Sequence, residues 1–283
     1  TVLQLSDLHL DMAEDFPQVI GEAVRGLGYD LCVLTGDYRA RTFGDCEPAV
    51  AGMRRLRASL DAEVLAVLGN HDYYGGPGVF GFYAPQASAR ALAKYRTYFD
   101  LPGNGTDAHA ERYYTLRWGP VTLVVLDLNN GLPQHGPNDS NYYMLGEGEG
   151  GSAPDWQPGS PQYRWLEETL RAAQQRNGFT FVVAHHCPYS SGVHGVPPGR
   201  GAGLDPLSGL PLRALSPLFL RYGVDAVFNG HDEMYEHSVL AGTEVSPSGL
   251  ESEHEIHFFD VGIGGGYYSG NNDDVRPSPR RRP

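Results

Sequence analysis

Short apolar segments rich in β-branched residues recur along the chain and alternate with segments of helical periodicity. This alternation is typical of βαβ units, in which helices cover both faces of parallel strands. It predicts an α/β fold with a mostly parallel, buried sheet. The predicted strands are Val2–Leu5, Leu31–Leu34, Val64–Leu68, Phe181–Ala184 and Ala226–Phe228, and the predicted helices are Phe16–Leu27, Pro48–Leu60 and Pro161–Gln175.

Two further pairs of strand-like segments indicate a second, more antiparallel sheet. Residues 112–117 and 121–128 flank Trp118-Gly119-Pro120, and this arrangement predicts a hairpin. A later pair spans residues 238–240 and 255–261.

Two long segments, 129–159 and 190–209, are rich in Gly and Pro and lack periodicity. Loops of this length inside a compact domain are usually functional. Because 41% of the residues are hydrophobic and no repeat is evident, the sequence predicts a single domain over residues 1–275. Residues 276–283 alternate Pro with Arg and predict a flexible tail.

The composition excludes several classes of function. The 21 Lys and Arg residues against 34 Asp and Glu give a net charge of −13, which disfavours binding of nucleic acid. No apolar run approaches the roughly 18 residues of a membrane span. Three cysteines without a CxxC spacing predict no disulfide framework. The chain begins at Thr1 without Met, so the sequence indicates neither an exported nor a cytoplasmic location. The sequence also leaves the oligomeric state open.

Each of the five predicted parallel strands ends in residues that can bind metal ions. Ligands bind at the carboxyl ends of parallel strands, so we expect these endings to converge. Crowded carboxylates and imidazoles are costly to bury unless cations neutralise them, and His with Asp suits Zn²⁺, Fe or Mn²⁺. The endings are Asp7-Leu8-His9, Gly36-Asp37, Gly69-Asn70-His71-Asp72, His185-His186-Cys187-Pro188 and Gly230-His231-Asp232-Glu233.

In this order the endings resemble the signature of the calcineurin-like metallophosphoesterases, a family that includes the purple acid phosphatases. The resemblance spans residues 2–261, and residues 162–170 resemble a helix frequent in the family. It implies a four-layer αββα sandwich with two mixed β-sheets. It also implies two divalent or trivalent metal ions and hydrolysis of a small phosphodiester or phosphomonoester by a metal-bridging hydroxide.

The resemblance implies a role for each residue of the endings. Asp7 and His9 hold the first ion, and Asp37 bridges the two ions. His71 faces the substrate phosphate as a catalytic residue, oriented by Asp72. The second ion is held by Asn70, His186 and His231, of which Asn70 also contacts the substrate.

Two positions depart from the family pattern. Glu233 stands where the family usually has a second His, and Ala40 stands where purple acid phosphatases have a metal-binding Tyr. If Glu233 binds the first ion, its carboxylate favours Mn²⁺ or Fe²⁺ over Zn²⁺. If it is instead a solvated loop residue, water, Asp232 or His237 completes that site.

His186 is preferred over His185 because the family ligand usually stands two residues before a proline. Three further residues are candidates for substrate contact, each with an alternative. His194 faces the substrate or lies on a surface loop, Arg39 clamps a phosphate oxygen or pairs with an acid at the surface, and Tyr73 lines the pocket or packs in the core.

The acidic composition favours diesters or neutral triesters, because a monoester carries two negative charges and needs extra cations such as Arg39 or Arg200. A phosphotriester hydrolase with the same metal core is therefore one alternative. A metal-binding scaffold without turnover is another, and the presence of both His71 and Asp72 weighs against it.

Overall fold

The computed structural model describes residues 1–40, 46–73, 85–129, 153–191 and 212–262. Its strands are β1 (Val2–Leu5), β2 (Leu31–Leu34), β3 (Glu63–Ala66), β4 (Tyr114–Trp118), β5 (Val121–Val125), β6 (Phe179–Val183), β7 (Ala226–Asn229), β8 (Tyr235–Val245) and β9 (Glu251–Val261). Its α-helices are α1 (Phe16–Val24), α2 (Glu47–Arg57), α3 (Pro85–Tyr98), α4 (Pro161–Gln174) and α5 (Ser216–Arg221).

The five apolar segments that end in polar residues are all strands, but they divide between two sheets. Strands β1, β2 and β3 form a parallel three-stranded sheet in that order. The second sheet has the order β4-β5-β6-β7-β9-β8, with a parallel centre and an antiparallel pair at each edge. The prediction of one parallel sheet for all five segments is therefore wrong, because periodicity reveals a buried strand but not its neighbours. The first sheet is parallel rather than mixed over the described residues.

The two faces of the six-stranded sheet bury side chains in two different cores. Leu123, Val125 and Val183 pack in a core with the three-stranded sheet. Their neighbours Val124 and Val182 point to the opposite face, because side chains alternate along a strand. That face packs against α4 and α5, and residues of α1 and α2 join the core of the first sheet. The four-layer αββα arrangement is thus confirmed.

Helix α4 begins as the sequence predicts and holds the end of β5 next to the polar strand ends. The Ser160 hydroxyl caps the helix by accepting a hydrogen bond from the backbone N–H of Tyr163 at 3.2 Å. The buried side-chain amide of Gln162 pairs with both backbone groups of Asp127, each at 2.9 Å. Helix α3 is not among the predicted helices.

Tyr73 lies in the core and not in a substrate pocket, which corrects the prediction that this residue contacts the substrate. Its side chain is completely buried, and its hydroxyl donates to the Asp127 carboxylate and accepts from Arg112. Arg112 also pairs with Asp127, with Nη2 and Oδ2 3.0 Å apart. The side chain points inward because it satisfies this buried ion pair.

Replacing Tyr73 with Phe tests this assignment. We expect Tyr73→Phe to lower the free energy of unfolding by about 1–3 kcal/mol, because a buried ion pair loses a hydrogen-bond partner. The KM should not change. Urea unfolding and steady-state kinetics measure the two effects, with exposed Tyr235→Phe as the control. A raised KM with unaltered stability would contradict this assignment and indicate that Tyr73 contacts the substrate.

Several predictions fall outside the described residues. These are the positions of His194 and Arg200, most of the loops 129–159 and 190–209, and the tail at 276–283, so the domain limits stay a prediction. The three cysteines are buried and free, as expected. Within the described ranges, no helix is long and apolar enough to cross a membrane.

Candidate metal centre

Four of the predicted ligands sit on strained backbone directly after their strands. Asp7, His9, Asp37 and His231 have φ values of 48°, 42°, 54° and 77°, in the left-handed region. Such conformations cost residues other than glycine about 1–3 kcal/mol each and cluster at functional sites. The strain indicates that placement of these side chains, rather than turn stability, selects the residues.

Close approach of the strand ends requires glycine at two positions. A Cβ on Gly69 would overlap the Asp37 carboxylate, and one on Gly230 would overlap Ser6 and Asp7. The backbone N–H of His231 donates to Asp7 Oδ2 at 3.1 Å, which joins the end of β7 to the end of β1. The two sheets therefore meet at their polar edges.

Asp37 lies at the centre of the site and belongs to two groups of ligand-type side chains. One group contains His9 and His71, the other contains Asp7 and His185, and in each the ligand atoms lie within 4.8 Å of one another. Asp37 Oδ2 is 3.3 Å from His185 Nε2 and 3.9 Å from the Nε2 atoms of both His9 and His71. Its carboxylate therefore faces imidazoles that follow strands of both sheets, which is the placement expected of a bridging ligand.

The predicted ligands of the second ion lie beside this carboxylate. His186 and His231 have ring centroids 4.2 Å apart, and with His185 they form a third group within 4.8 Å. His185 Nε2 is also 3.0 Å from Asn70 Oδ1. His185 and His186 thus both reach the site, and the choice of His186 stays a prediction.

Glu233 lies at the first ion's predicted site. Its Oε1 is 3.7 Å from His9 Nδ1, and its side chain is 32% exposed. The two alternative ligands face elsewhere: Asp232 contacts Ser190, and His237 lies 2.9 Å from His257 on an exposed face. Among these three residues, Glu233 is the one placed beside His9.

His71 and Asp72 have separate surroundings, which corrects the prediction that Asp72 orients His71. His71 Nδ1 lies 3.0 Å from the Ala40 carbonyl, so the backbone at the position of the absent Tyr holds the ring. Within the short 3₁₀ turn over His71–Tyr73, the two side chains diverge, and Asp72 is buried. Its carboxylate accepts backbone hydrogen bonds, of 2.8–3.0 Å, from Asp37, Tyr38 and Gly69. Asp72 is a positioning residue that fastens two turns.

Arg39 is neither exposed nor turned into the site, contrary to both predictions for it. Its side chain is buried, with Nη1 2.9 Å from Cys46 Sγ. It lines a mostly apolar cavity between α2 and α3 with residues such as Met53 and Tyr95. The long side chain buries its carbon atoms there.

The charges of the site require cations. Burial raises the pKa of Asp7 to about 7. Although burial opposes it, His185 and His71 hold the pKa of Asp37 well below its usual range. Burial also disfavours charge on His185, but the Asp37 carboxylate raises the pKa of that imidazole to about 10. Without a metal ion, protons on imidazoles neutralise the carboxylates.

One buried ring nitrogen of the site lacks a hydrogen bond of normal geometry. His9 Nε2 makes no hydrogen bond with the described residues, although it is buried. Buried polar atoms are normally paired, so this atom fits a metal ligand. Together with the shared Asp37 carboxylate, it shows that the residues present fit two metal ions.

A model of the calcineurin-like phosphoesterases matches residues 1–234. The chain belongs to this family. The match includes all five strand endings, so the resemblance stated over residues 2–261 is confirmed up to residue 234.

The chain is also similar to one curated protein and to two solved structures, which share its fold. An uncharacterized protein of Mycobacterium tuberculosis strain H37Rv is 28% identical over 211 residues, which are 74% of this chain and 33% of the relative. The chain thus spans about a third of the length of that relative. A purple acid phosphatase from yellow lupin (Lupinus luteus) seeds has a TM-score of 0.57 at 16% identity and covers 93% of this chain and 44% of its own. A dimetal phosphatase of Danio rerio has a TM-score of 0.50 at 15% identity, with coverages of 93% and 87%.

Sequence reasoning missed one buried acid of the phosphoesterase. Asp260 is the last residue but one of β9, is 2% exposed and pairs with Asn229 at the end of β7. The sequence does contain a pattern that identifies this residue, because Phe258-Phe259-Asp260 is again an apolar segment that ends in Asp. The alternating polar residues earlier in β9 concealed it.

Proposed function

We propose that the chain hydrolyses phosphate esters at a binuclear metal centre, with diesters or monoesters as substrates. The position of Asp37 carries this proposal, because its carboxylate lies between imidazoles that follow strands of both sheets. Two ions sharing a carboxylate are typical of enzymes that act on phosphate esters.

Each residue of the centre has a part in the proposal. The first ion would be held by Asp7, His9, Asp37 and Glu233, and the second by Asp37, Asn70, His186 and His231. When bound, the ions would supply Lewis acidity and lower the pKa of a bound water.

His71 would act on the leaving group. The Ala40 carbonyl accepts a hydrogen bond from the Nδ1–H of the ring, so the proton to be transferred is the one on Nε2: the imidazolium would give it to the leaving oxygen and become the neutral ring. The Asn70 amide would orient a non-bridging oxygen of the phosphate.

The charges near Asp37 favour diesters over monoesters. In the described part of the chain, its ion-pair partners are the imidazoles of His9, His71 and His185. Arg39 is turned to Cys46. A monoester dianion would therefore rely on the two ions for neutralisation, whereas a diester has one charge fewer.

A panel of substrates and metals tests the proposal. We expect bis-p-nitrophenyl phosphate to be hydrolysed with Mn²⁺ or Fe²⁺ and to be preferred over p-nitrophenyl phosphate. A neutral triester, measured alongside, tests the phosphotriester alternative. Binding of two ions without turnover of any ester would instead support the metal-binding scaffold.

Glu233 provides a specific test of the first ion's site. We expect Glu233→Ala to weaken or empty that site while the second stays largely occupied, because the two sites share only Asp37. We expect Glu233→His to shift the preference from Mn²⁺ towards Zn²⁺, since imidazole is neutral and softer. Elemental analysis after dialysis against each metal measures both effects.

The matched control is Glu236→Ala, because Glu236 is a nearby acid whose Oε2 accepts from the Ser191 hydroxyl at 2.9 Å. It should keep both ions. If Glu233→Ala retains two ions with unaltered metal preference, Glu233 is a loop residue and water completes the first site.

A further inference from the structure

A further group of ligand-type side chains lies at the same edge of the six-stranded sheet. Cys187 follows β6, Asp232 follows β7 and Asp260 is the last residue but one of β9, and these three strands are parallel neighbours. Cys187 Sγ and one carboxylate oxygen of each Asp lie within 4.8 Å of one another. Their side chains are 1%, 3% and 2% exposed, so this is an enclosed group rather than a solvated acidic surface.

Asp260 is the residue that points to a ligand. Both of its carboxylate oxygens are buried, and apart from the weakly donating Cys187 thiol of the same group they have no hydrogen-bond partner among the described residues. A buried carboxylate without hydrogen bonds is costly, and a bound cation is one of the few ways to compensate it. Burial, followed by the carboxylates of Asp232 and Asp7, raises the pKa of Asp260 to about 9.

The backbone holds this group in place. The N–H of Gly262 donates to the Met234 carbonyl at 3.0 Å, and a Cβ on Gly262 would overlap the Asp232 carbonyl oxygen. The end of β9 is therefore fastened against the turn that carries Asp232. Ser190 Oγ contacts the Asp232 carboxylate and lies 3.7 Å from Met234 Sδ, which adds oxygen and sulfur atoms beside the group.

We propose that Cys187, Asp232 and Asp260 bind a third divalent cation, separate from the two ions of the catalytic centre and of the class represented by Zn²⁺. A thiolate with two carboxylates suits Zn²⁺, whereas Mg²⁺ and Ca²⁺ prefer oxygen ligands alone. Cys187 Sγ now lies 3.9 Å from Asp232 Oδ2, and on binding the thiol proton leaves to solvent. Water takes the remaining coordination position.

This ion would act through the neighbours of its ligands. Cys187 directly follows His186, and Asp232 directly follows His231. An ion that ties these two turns to β9 would position both imidazoles of the second catalytic ion. Its role is therefore structural, although it lies beside the catalytic centre.

Cobalt(II) added to the metal-free chain tests the proposal. A cobalt ion bound by a thiolate shows a charge-transfer absorption in the near ultraviolet, and the His, Asp, Asn and Glu ligands of the catalytic centre do not. We expect this absorption to grow to a plateau at one thiolate-bound ion, with three cobalt ions per chain at saturation. Circular dichroism checks that each variant is folded.

Two variants and a control make the result specific. Cys187→Ser should abolish the absorption and lower the stoichiometry by one ion. Asp260→Asn should keep the fold and weaken this ion by at least about tenfold. The control is Cys32→Ser, because Cys32 is buried in β2 of the other sheet and should leave the absorption unchanged.

The outcomes separate this site from the proposed function. Two bound cobalt ions without thiolate absorption would overturn the third site and leave the binuclear centre intact. Absorption that survives in Cys187→Ser would overturn it as well. Thiolate absorption from a single bound ion would support the third site and contradict the binuclear centre.

Discussion

Chelation of the purified protein is expected to abolish hydrolysis of phosphate esters and to lower the melting temperature. An ion present at about 100 times its dissociation constant stabilises the folded state by about 2.7 kcal/mol, because it binds only that state. For a chain of this size, each kcal/mol corresponds to about 2–4 °C in melting temperature. Dialysis against a chelator, elemental analysis, calorimetry and assay of bis-p-nitrophenyl phosphate measure these changes.

Restoring the ions gives this experiment its control. Added Mn²⁺ should recover both activity and melting temperature, whereas Mg²⁺ should recover less, because it binds imidazole poorly. The apparent metal affinity should fall as the pH drops below about 7, since Asp7, with a pKa of about 7 in the metal-free site, must lose its proton to bind. Full activity with one ion or none would overturn the binuclear centre.

Replacing His71 with Asn should lower kcat by about 10²–10⁴, the usual contribution of a positioned acid or base. The metal content should not change, because the ring is held by the Ala40 carbonyl and is not assigned to either ion. The loss should be smaller for a p-nitrophenyl leaving group than for an alkyl one, because p-nitrophenolate needs less protonation. Steady-state kinetics on both esters, with elemental analysis of the variant, measure these effects.

His237→Asn is the matched control, because His237 is an exposed imidazole paired with His257 outside the centre. It should leave kcat unchanged. An equal loss for the two leaving groups would assign His71 to stabilisation of the phosphate oxygens. Loss of an ion from His71→Asn would make it a ligand, as its place in a group with His9 and Asp37 also allows.

Strands with simple patterns were predictable from the sequence. Strands β1 and β2 match their predicted limits, because both are short, apolar and bounded by polar turns. The hairpin of β8 and β9 was predicted as short fragments, since each strand has 11 residues with many polar side chains. Their outer positions face solvent and carry no hydrophobic signal.

The elements that meet at the centre were predictable, but the partners of individual side chains were not. The motif order brought the five strand endings together, and the structure places them at one edge. That Asp72 accepts three backbone hydrogen bonds depends on turn geometry, which spacing does not reveal. Spacing also does not distinguish the adjacent residues His185 and His186, because their partners depend on the local conformation of the backbone and of each side chain.

The contacts between the strand ends of the two sheets determine when the metal centre becomes complete during folding. The ligands from the three-stranded sheet all lie within the first 70 residues, and Asp72, two residues later, links neighbouring turns. The contacts from the second sheet close over 115 residues for His185 with Asn70 and over 224 for His231 with Asp7. Contacts between distant residues form slowly, and synthesis releases the N-terminal part first. We therefore expect the centre to assemble in two stages, a local half from the first sheet followed by a distant half that needs β6 and β7.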